Sequence, residues 1–216
     1  MERINRTQRV LEQISWEPKV PQKEIAQKNK VCVLLAGPSC VGKTSIISKM
    51  LESDLLFATP TQVTTRSVRD GQSDKITVTE EEFDRLKHLD DFFHHGSSYH
   101  NQYGTLKSSV DSIAQMGKVA VLDFPLHLVS EIKALNPEYD FLVFYLVPKS
   151  ISEWYTRMAN ANRNSISRIK YSLKEYSEIL STENDDITAF IENPDGYQHK
   201  ALDQILETIS NAIGDT

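Results

Sequence analysis

The chain has 216 residues, 39% of them hydrophobic and 8% aromatic, enough for one mid-sized domain with a real core or for two small ones. A charged fraction of 25% excludes the disordered, collagenous and low-complexity classes. With 30 acidic against 24 basic side chains the net charge is −6, which excludes a protein that coats nucleic acid by bulk electrostatics; any polyanion must meet locally gathered positive charge.

Residues 1–30 hold seven Lys/Arg and four Asp/Glu, a net of +3 that leaves −9 for the remainder. They predict a short helix, Thr7 to Ile14, and an irregular linker carrying Pro18 and Pro21. No apolar run follows Met1 of the kind a signal peptide needs, and no stretch reaches the roughly 18 apolar residues of a membrane span. Of the two cysteines, Cys32 lies in the run Val31-Cys32-Val33-Leu34-Leu35 and reads as a small buried hydrophobe. A disulfide framework has no support, and a cytoplasmic protein is expected.

From Val31 onward, short apolar runs alternate with helical stretches. Strands are expected at Val31–Ala36, Ile76–Thr79, Phe92–His94, Val119–Leu122, Phe141–Val147 and Thr188–Ile191. Helices are expected at Lys43–Glu52, Glu80–Leu86, Ser108–Gln115, Leu126–Leu135, Ile151–Ala159, Ser165–Leu180 and Tyr197–Ala212. The alternation predicts an α/β fold whose mainly parallel sheet is covered on both faces.

Between the first strand and first helix, Gly37-Pro38-Ser39-Cys40-Val41-Gly42-Lys43-Thr44 fills every fixed position of G-x-x-x-x-G-K-[ST], the P-loop. Glycines let the backbone turn its N–H groups inward around phosphates at the positive end of the next helix. Lys43 supplies a point charge to the terminal phosphates, and the Thr44 hydroxyl, followed by Ser45, is placed for Mg²⁺. This pattern predicts an ATP or GTP site. The strand Val119-Ala120-Val121-Leu122-Asp123 ends in a carboxylate of the Walker-B form, which reaches Mg²⁺ through water. His94, His95 and His100 match no zinc spacing and have no cysteine partner nearby.

The P-loop, Thr64-Thr65-Arg66-Ser67-Val68-Arg69-Asp70-Gly71, Tyr103-Gly104-Thr105 and Gly117-Lys118-Val119-Ala120-Val121-Leu122-Asp123 follow in an order that resembles guanylate kinases, from about Val31 to the C-terminus. The resemblance implies an extension (1–30) and a kinase domain (31–216) of three-layer α/β/α form. Within that domain it implies a nucleoside-monophosphate-binding insertion near 60–105 and a helical lid near 150–172.

Arg66 and Arg69, three residues apart, suit a bidentate grip on one phosphate, and the family places the acceptor's phosphate there, with Tyr103 and Thr105 beside it. Arg157, Arg163 and Arg168 would be lid arginines, with Arg157 and Arg168 stabilising the transferring phosphoryl. Ala189-Phe190-Ile191-Glu192-Asn193 resembles the segment near the adenine, making Asn193 an ATP contact. Asp123 would serve both metal and acceptor.

Some positions depart from the family. Its guanine-reading Ser and Glu correspond to Gln62 and His94. The loop after Arg69 is about three residues short, with Gln72 where a Glu is usual and Lys75 where a phosphate-binding Tyr is usual. Pro125 replaces a second acidic residue. A neutral imidazole cannot accept two bonds from the guanine edge as a carboxylate does. The expected activity is ATP-dependent, Mg²⁺-assisted phosphoryl transfer to a phosphorylated acceptor, foremost a nucleoside monophosphate such as GMP, by a monomer or homodimer without nucleic-acid or membrane partners. The alternatives are a ribose 1,5-bisphosphate kinase, suggested by Gly71-Gln72-Ser73-Asp74-Lys75-Ile76, and a non-catalytic phosphopeptide-binding module.

Overall fold

In the computed structural model the described residues are 30–53, 56–67, 75–98, 101–162, 165, 169–170, 172–174 and 185–214. The expected helix Thr7–Ile14 lies outside them, as does most of Ser165–Leu180, of which 169–170 and 172–174 are helical. In chain order the elements are β1 (Lys30–Ala36), α1 (Lys43–Ser53), β2 (Phe57–Ala58), β3 (Gln62–Thr64), β4 (Lys75–Thr77), α2 (Glu80–His88), β5 (Phe92–Ser98), β6 (Asn101–Leu106) and α3 (Lys107–Gln115). They continue with β7 (Val119–Asp123), a 3₁₀ turn (Leu126–Leu128), α4 (Val129–Leu135), β8 (Tyr139–Val147), α5 (Ile151–Asn160), β9 (Ala189–Glu192) and α6 (Gln198–Gly214). The described chain divides into two units, Pro60–Gly117 and Lys28–Thr59 with Lys118–Thr216.

In the second unit five strands run in the order β2-β7-β1-β8-β9, every neighbouring pair parallel. A parallel sheet needs cover on both faces, so its strands read as continuous apolar runs. Accordingly Cys32, Val33, Leu34, Leu35 and Ala36 in the central strand are fully buried. Val33 and Leu35 pack with Ile46 and Met50 of α1, Phe144 and Leu146 of β8 and Ile205 and Ile209 of α6. Burial also pushes the Cys32 thiol far up, so it is the inert core residue expected. The chain leaves β1 toward β2 and β7 on one side and later returns to β8 on the other. That reversal puts the turn after Ala36 at the switch point where open α/β sheets bind ligands.

The first unit holds a mixed sheet in the order β4-β3-β6-β5, with β3 and β4 parallel and β6 antiparallel to β3 and β5. Its core is small: Val63, Phe83, Phe92 and Leu106, with Ile76, Val78 and Leu86 against them. Helix α2 starts at a reciprocal capping box in which Thr79 Oγ1 accepts from the Glu82 N–H and Glu82 accepts from the Thr79 N–H, each at 3.1 Å. Three glutamates in its first turn and three basic residues in its last complement the helix dipole. Strands β2, β3 and β6 were not expected from the sequence, and β5 runs four residues beyond its expected end.

Candidate functional site

Two groups of predicted residues come together, one in each unit. In the larger unit the P-loop wraps the N-terminus of α1. Gly42 has φ +106°, and a Cβ there would lie 2.4 Å from Asn193 Nδ2, so both backbone and space demand glycine. Cys40 carries φ +63° without being a glycine, a left-handed conformation costing roughly 1–2 kcal/mol for an L side chain. A β-branched residue fits still worse. Cys40→Val should therefore lower unfolding stability further while Cys40→Gly does not; equal denaturation midpoints for wild type and Cys40→Val would refute the strain.

The carbonyls of this loop are held by side chains. Lys43 Nζ donates to Gly37 O at 2.7 Å and Pro38 O at 3.3 Å and lies 3.7 Å from Asp123 Oδ1. Trp154 Nε1 donates to Ser39 O at 2.7 Å. Val41 O accepts from Arg157 Nη1 at 3.1 Å and Asn193 Nδ2 at 2.9 Å. Thr44 and Ser45 stand exposed in the first turn of α1. Asp123 closes β7 with its side chain half exposed beside the largely buried Lys43. A hydroxyl and a carboxylate are the oxygen donors a hard divalent cation takes.

Two of the expected residues, Asn193 and Arg157, are engaged with the P-loop backbone. Asn193 is 1% exposed, and its amide nitrogen is engaged on the P-loop backbone. Arg157 donates through Nη2 to Asn193 O at 2.7 Å and to Glu153, and Nε lies 2.8 Å from Asp195 Oδ1. Both terminal nitrogens of its fork thus donate to protein acceptors, and Nε faces a carboxylate. Trp154 as a P-loop partner was missed, since nothing local in sequence marks an indole for a carbonyl 115 positions away.

In the smaller unit one face of the mixed sheet collects most of the remaining predictions. Lys75 pairs with Gln62, Gln62 with Thr105, and Thr105 with His94, a single row across four strands. Two residues along, Thr77, Thr64, Tyr103 and Gly96 form the next row of that face. The row between, Ile76-Val63-Gly104-His95, belongs to the opposite face, which turns Val63 and Ile76 into the core. Gly104 is required there because a Cβ would lie 2.3 Å from the Phe92 ring.

His94 reaches the polar row through an irregularity. The register shifts between Phe92 and His94, so the strand carries an extra residue, Phe93, opposite the Leu106–Thr105 step. Without that bulge His94 would pair with Gly104 and fall on the core face. It is instead a buried imidazole, 6% exposed, next to Thr105 at 5%. Lys75 Nζ lies over the Tyr103 ring at 5.4 Å, a cation–π contact.

Arg66 follows β3 in a turn fixed by several bonds. Its N–H donates to Thr64 Oγ1 at 3.1 Å and its carbonyl accepts from Thr77 Oγ1 at 3.1 Å. Thr65 N–H donates to Gln102 O at 3.1 Å while Gln102 N–H donates to Thr65 Oγ1 at 2.9 Å. Arg69, Gln72, His100, Arg163 and Arg168 lie outside the described residues. Among the described residues no group of three or more His, Cys, Asp or Glu is gathered as for a metal, and no helix is long and apolar enough to cross a membrane.

The chain is similar to known proteins in sequence and in fold. A family model described as guanylate kinase matches residues 28–212. A guanylate kinase of Mycoplasmopsis synoviae (strain 53) is 31% identical over 198 residues, covering 87% of this chain and 98% of that protein. One of Hahella chejuensis is 28% identical over 151 residues, 68% of this chain and 72% of its own. In three dimensions the guanylate kinase from Anaplasma phagocytophilum superposes with a TM-score of 0.64 at 20% identity, covering 86% of this chain and 87% of its own, a likeness of fold.

Proposed function

The chain belongs to the guanylate kinase family, and on that premise we propose that it transfers the γ-phosphoryl group of ATP to GMP, giving ADP and GDP. An oxygen of the GMP phosphate attacks the γ-phosphorus, and the bond from that phosphorus to the β–γ bridging oxygen breaks. No protein residue forms a covalent intermediate, so the catalytic work is positioning and charge neutralisation. The observation that carries the reading is the complete cradle at the end of the central strand, with Lys43 held between the loop carbonyls and Asp123.

The N–H groups of Ser39–Ser45 hold the ATP phosphates, and Lys43 exchanges its carbonyl partners for their oxygens. Thr44 directly, and Asp123 through water, would hold Mg²⁺, which when bound neutralises charge on the β and γ oxygens. Residues 60–105 act as the monophosphate-binding insertion, where Arg66 and Arg69 grip the acceptor's phosphate with Tyr103. Arg168 acts from a lid near 150–172, residues 1–30 form an extension, and the enzyme works in the cytoplasm as a monomer or homodimer.

Gln62, Thr105 and His94, side by side on one row, read the base. Guanine offers N1–H and N2–H₂ donors beside O6 and N7 acceptors. A Gln amide and a neutral imidazole each bring one donor side and one acceptor side, so the pair replaces a single carboxylate. Lys75, on the same row, adds positive charge for the acceptor.

A coupled assay of ADP release across an acceptor panel tests the reading, with GMP turnover expected. Turnover confined to ribose 1,5-bisphosphate, or no ATP binding, would overturn it. Arg66→Ala should raise the KM for GMP by about 30–100-fold, as loss of a charge-assisted pair implies, with the KM for ATP within twofold. An unchanged GMP response would remove Arg66 from the acceptor site.

A further inference from the structure

A P-loop binds phosphate only if its peptide N–H groups face the ligand. In a trans peptide the N–H points opposite to the C=O of the same plane. Whatever pins a loop carbonyl therefore aims the next residue's N–H. Trp154 on Ser39 O fixes the Cys40 N–H, and Arg157 with Asn193 on Val41 O fixes the Gly42 N–H. Both N–H groups are thereby directed to the side of the loop away from α5 and the segment after β9.

Arg157 is the hub of this arrangement. One planar guanidinium joins the P-loop at Val41, the segment after β9 at Asn193 and Asp195, and its own helix at Glu153. Glu153 in turn accepts from the Asp195 N–H at 2.6 Å. Two carboxylates flank the single positive charge, and the side chain is 13% exposed. Such a group is neutralised where it stands. It is suited to geometry, which a rigid fork supplies, more than to a transferring phosphoryl.

We propose that Arg157, assisted by Trp154, is a positioning residue that orients the phosphate-binding peptides of the P-loop, and that it does not touch the transferring phosphoryl. The proposal rests on the ATP-dependent kinase reading above. It assigns Arg157 a role different from that of a lid arginine, leaving transition-state charge to Lys43 and to arginines elsewhere in the chain. Asn193 shares the task through the same carbonyl.

The test compares wild type, Arg157→Lys, Arg157→Gln and Trp154→Phe as full chains, measuring ATP and ADP affinity by calorimetry and KM and kcat for both substrates. Misaimed N–H groups weaken binding of ground and transition states alike, so KM rises while kcat holds. Both Arg157 variants should lose ATP affinity by about tenfold, with kcat at saturating ATP within threefold and the GMP KM unchanged. Arg157→Lys keeps the charge but lacks the fork, so it should fare no better than Arg157→Gln. Trp154→Phe deletes the indole donor while keeping an aromatic ring at the site and should cost about three- to tenfold in ATP affinity; it decides the matter if the Arg157 variants do not fold.

Undiminished ATP affinity in Trp154→Phe and the Arg157 variants overturns the brace and leaves the kinase reading standing. A hundredfold fall in kcat at saturating ATP, restored by Arg157→Lys, overturns it in favour of direct charge stabilisation. Wild-type protein that binds no ATP removes the kinase reading itself.

Discussion

Lys43→Ala should reduce kcat/KM for ATP by about three orders of magnitude, the scale on which loss of one preorganised charge to a transferring phosphoryl is felt. The side chain is largely buried and donates to two loop carbonyls, so its removal has a folded-state cost as well. That cost is small, about 1–2 kcal/mol, because Gly37 is only partly buried and its carbonyl regains water. Asp123 is half exposed and is not stranded by the loss of its partner. The expected result is a protein that melts cooperatively within a few degrees of wild type yet turns over almost no GMP. Rates within tenfold of wild type, measured with ATP saturating, would remove the P-loop lysine from the mechanism.

Gly42→Ala is expected to be as damaging by a different route. Its φ of +106° is foreign to an alanine, and the added methyl would meet Asn193 Nδ2 at 2.4 Å. Backbone strain of this kind costs on the order of 1–3 kcal/mol, and displacing Asn193 also releases the bond it makes to Val41 O. ATP affinity should fall by about a hundredfold or more, the equivalent of two such losses together. Because clash and lost bond share one partner, they should not add. Asn193→Ala alone weakens ATP binding, but the double variant should lose less than the sum of the single losses. Strict additivity would show that the steric meeting at Asn193 is not what makes Gly42 necessary.

What could be foreseen from sequence followed from how strongly each segment advertises its surroundings. The run Val31–Ala36 is apolar throughout because both its faces are covered, and the P-loop announces itself through fixed glycines ahead of Lys43 and Thr44. Strands β3 and β6 offered no such signal. Gln62-Val63-Thr64 has one apolar residue among three, and Asn101–Leu106 contains Gly104, a poor strand former required only because Phe92 lies over it. Their polar face is the one proposed to meet the acceptor, and a face kept polar while buried carries no apolar alternation to read. The partnership of Trp154, Arg157 and Asn193 with loop carbonyls was illegible for another reason. Each is an ordinary helix or strand-end residue until the sheet brings it to the loop.

The separation of those partners along the chain also orders events in folding. Val41 meets Arg157 across 116 positions and Asn193 across 152, while its neighbours in α1 are local. Loop closure of that length comes late relative to a helix or a hairpin. A nascent chain can therefore possess the whole glycine-rich motif, with its helix formed, and still lack a competent cradle until the segment after β9 has docked. Nucleotide binding thus reports on completion of the larger unit, and ATP should protect that last-docking segment from proteolysis more than it protects α1.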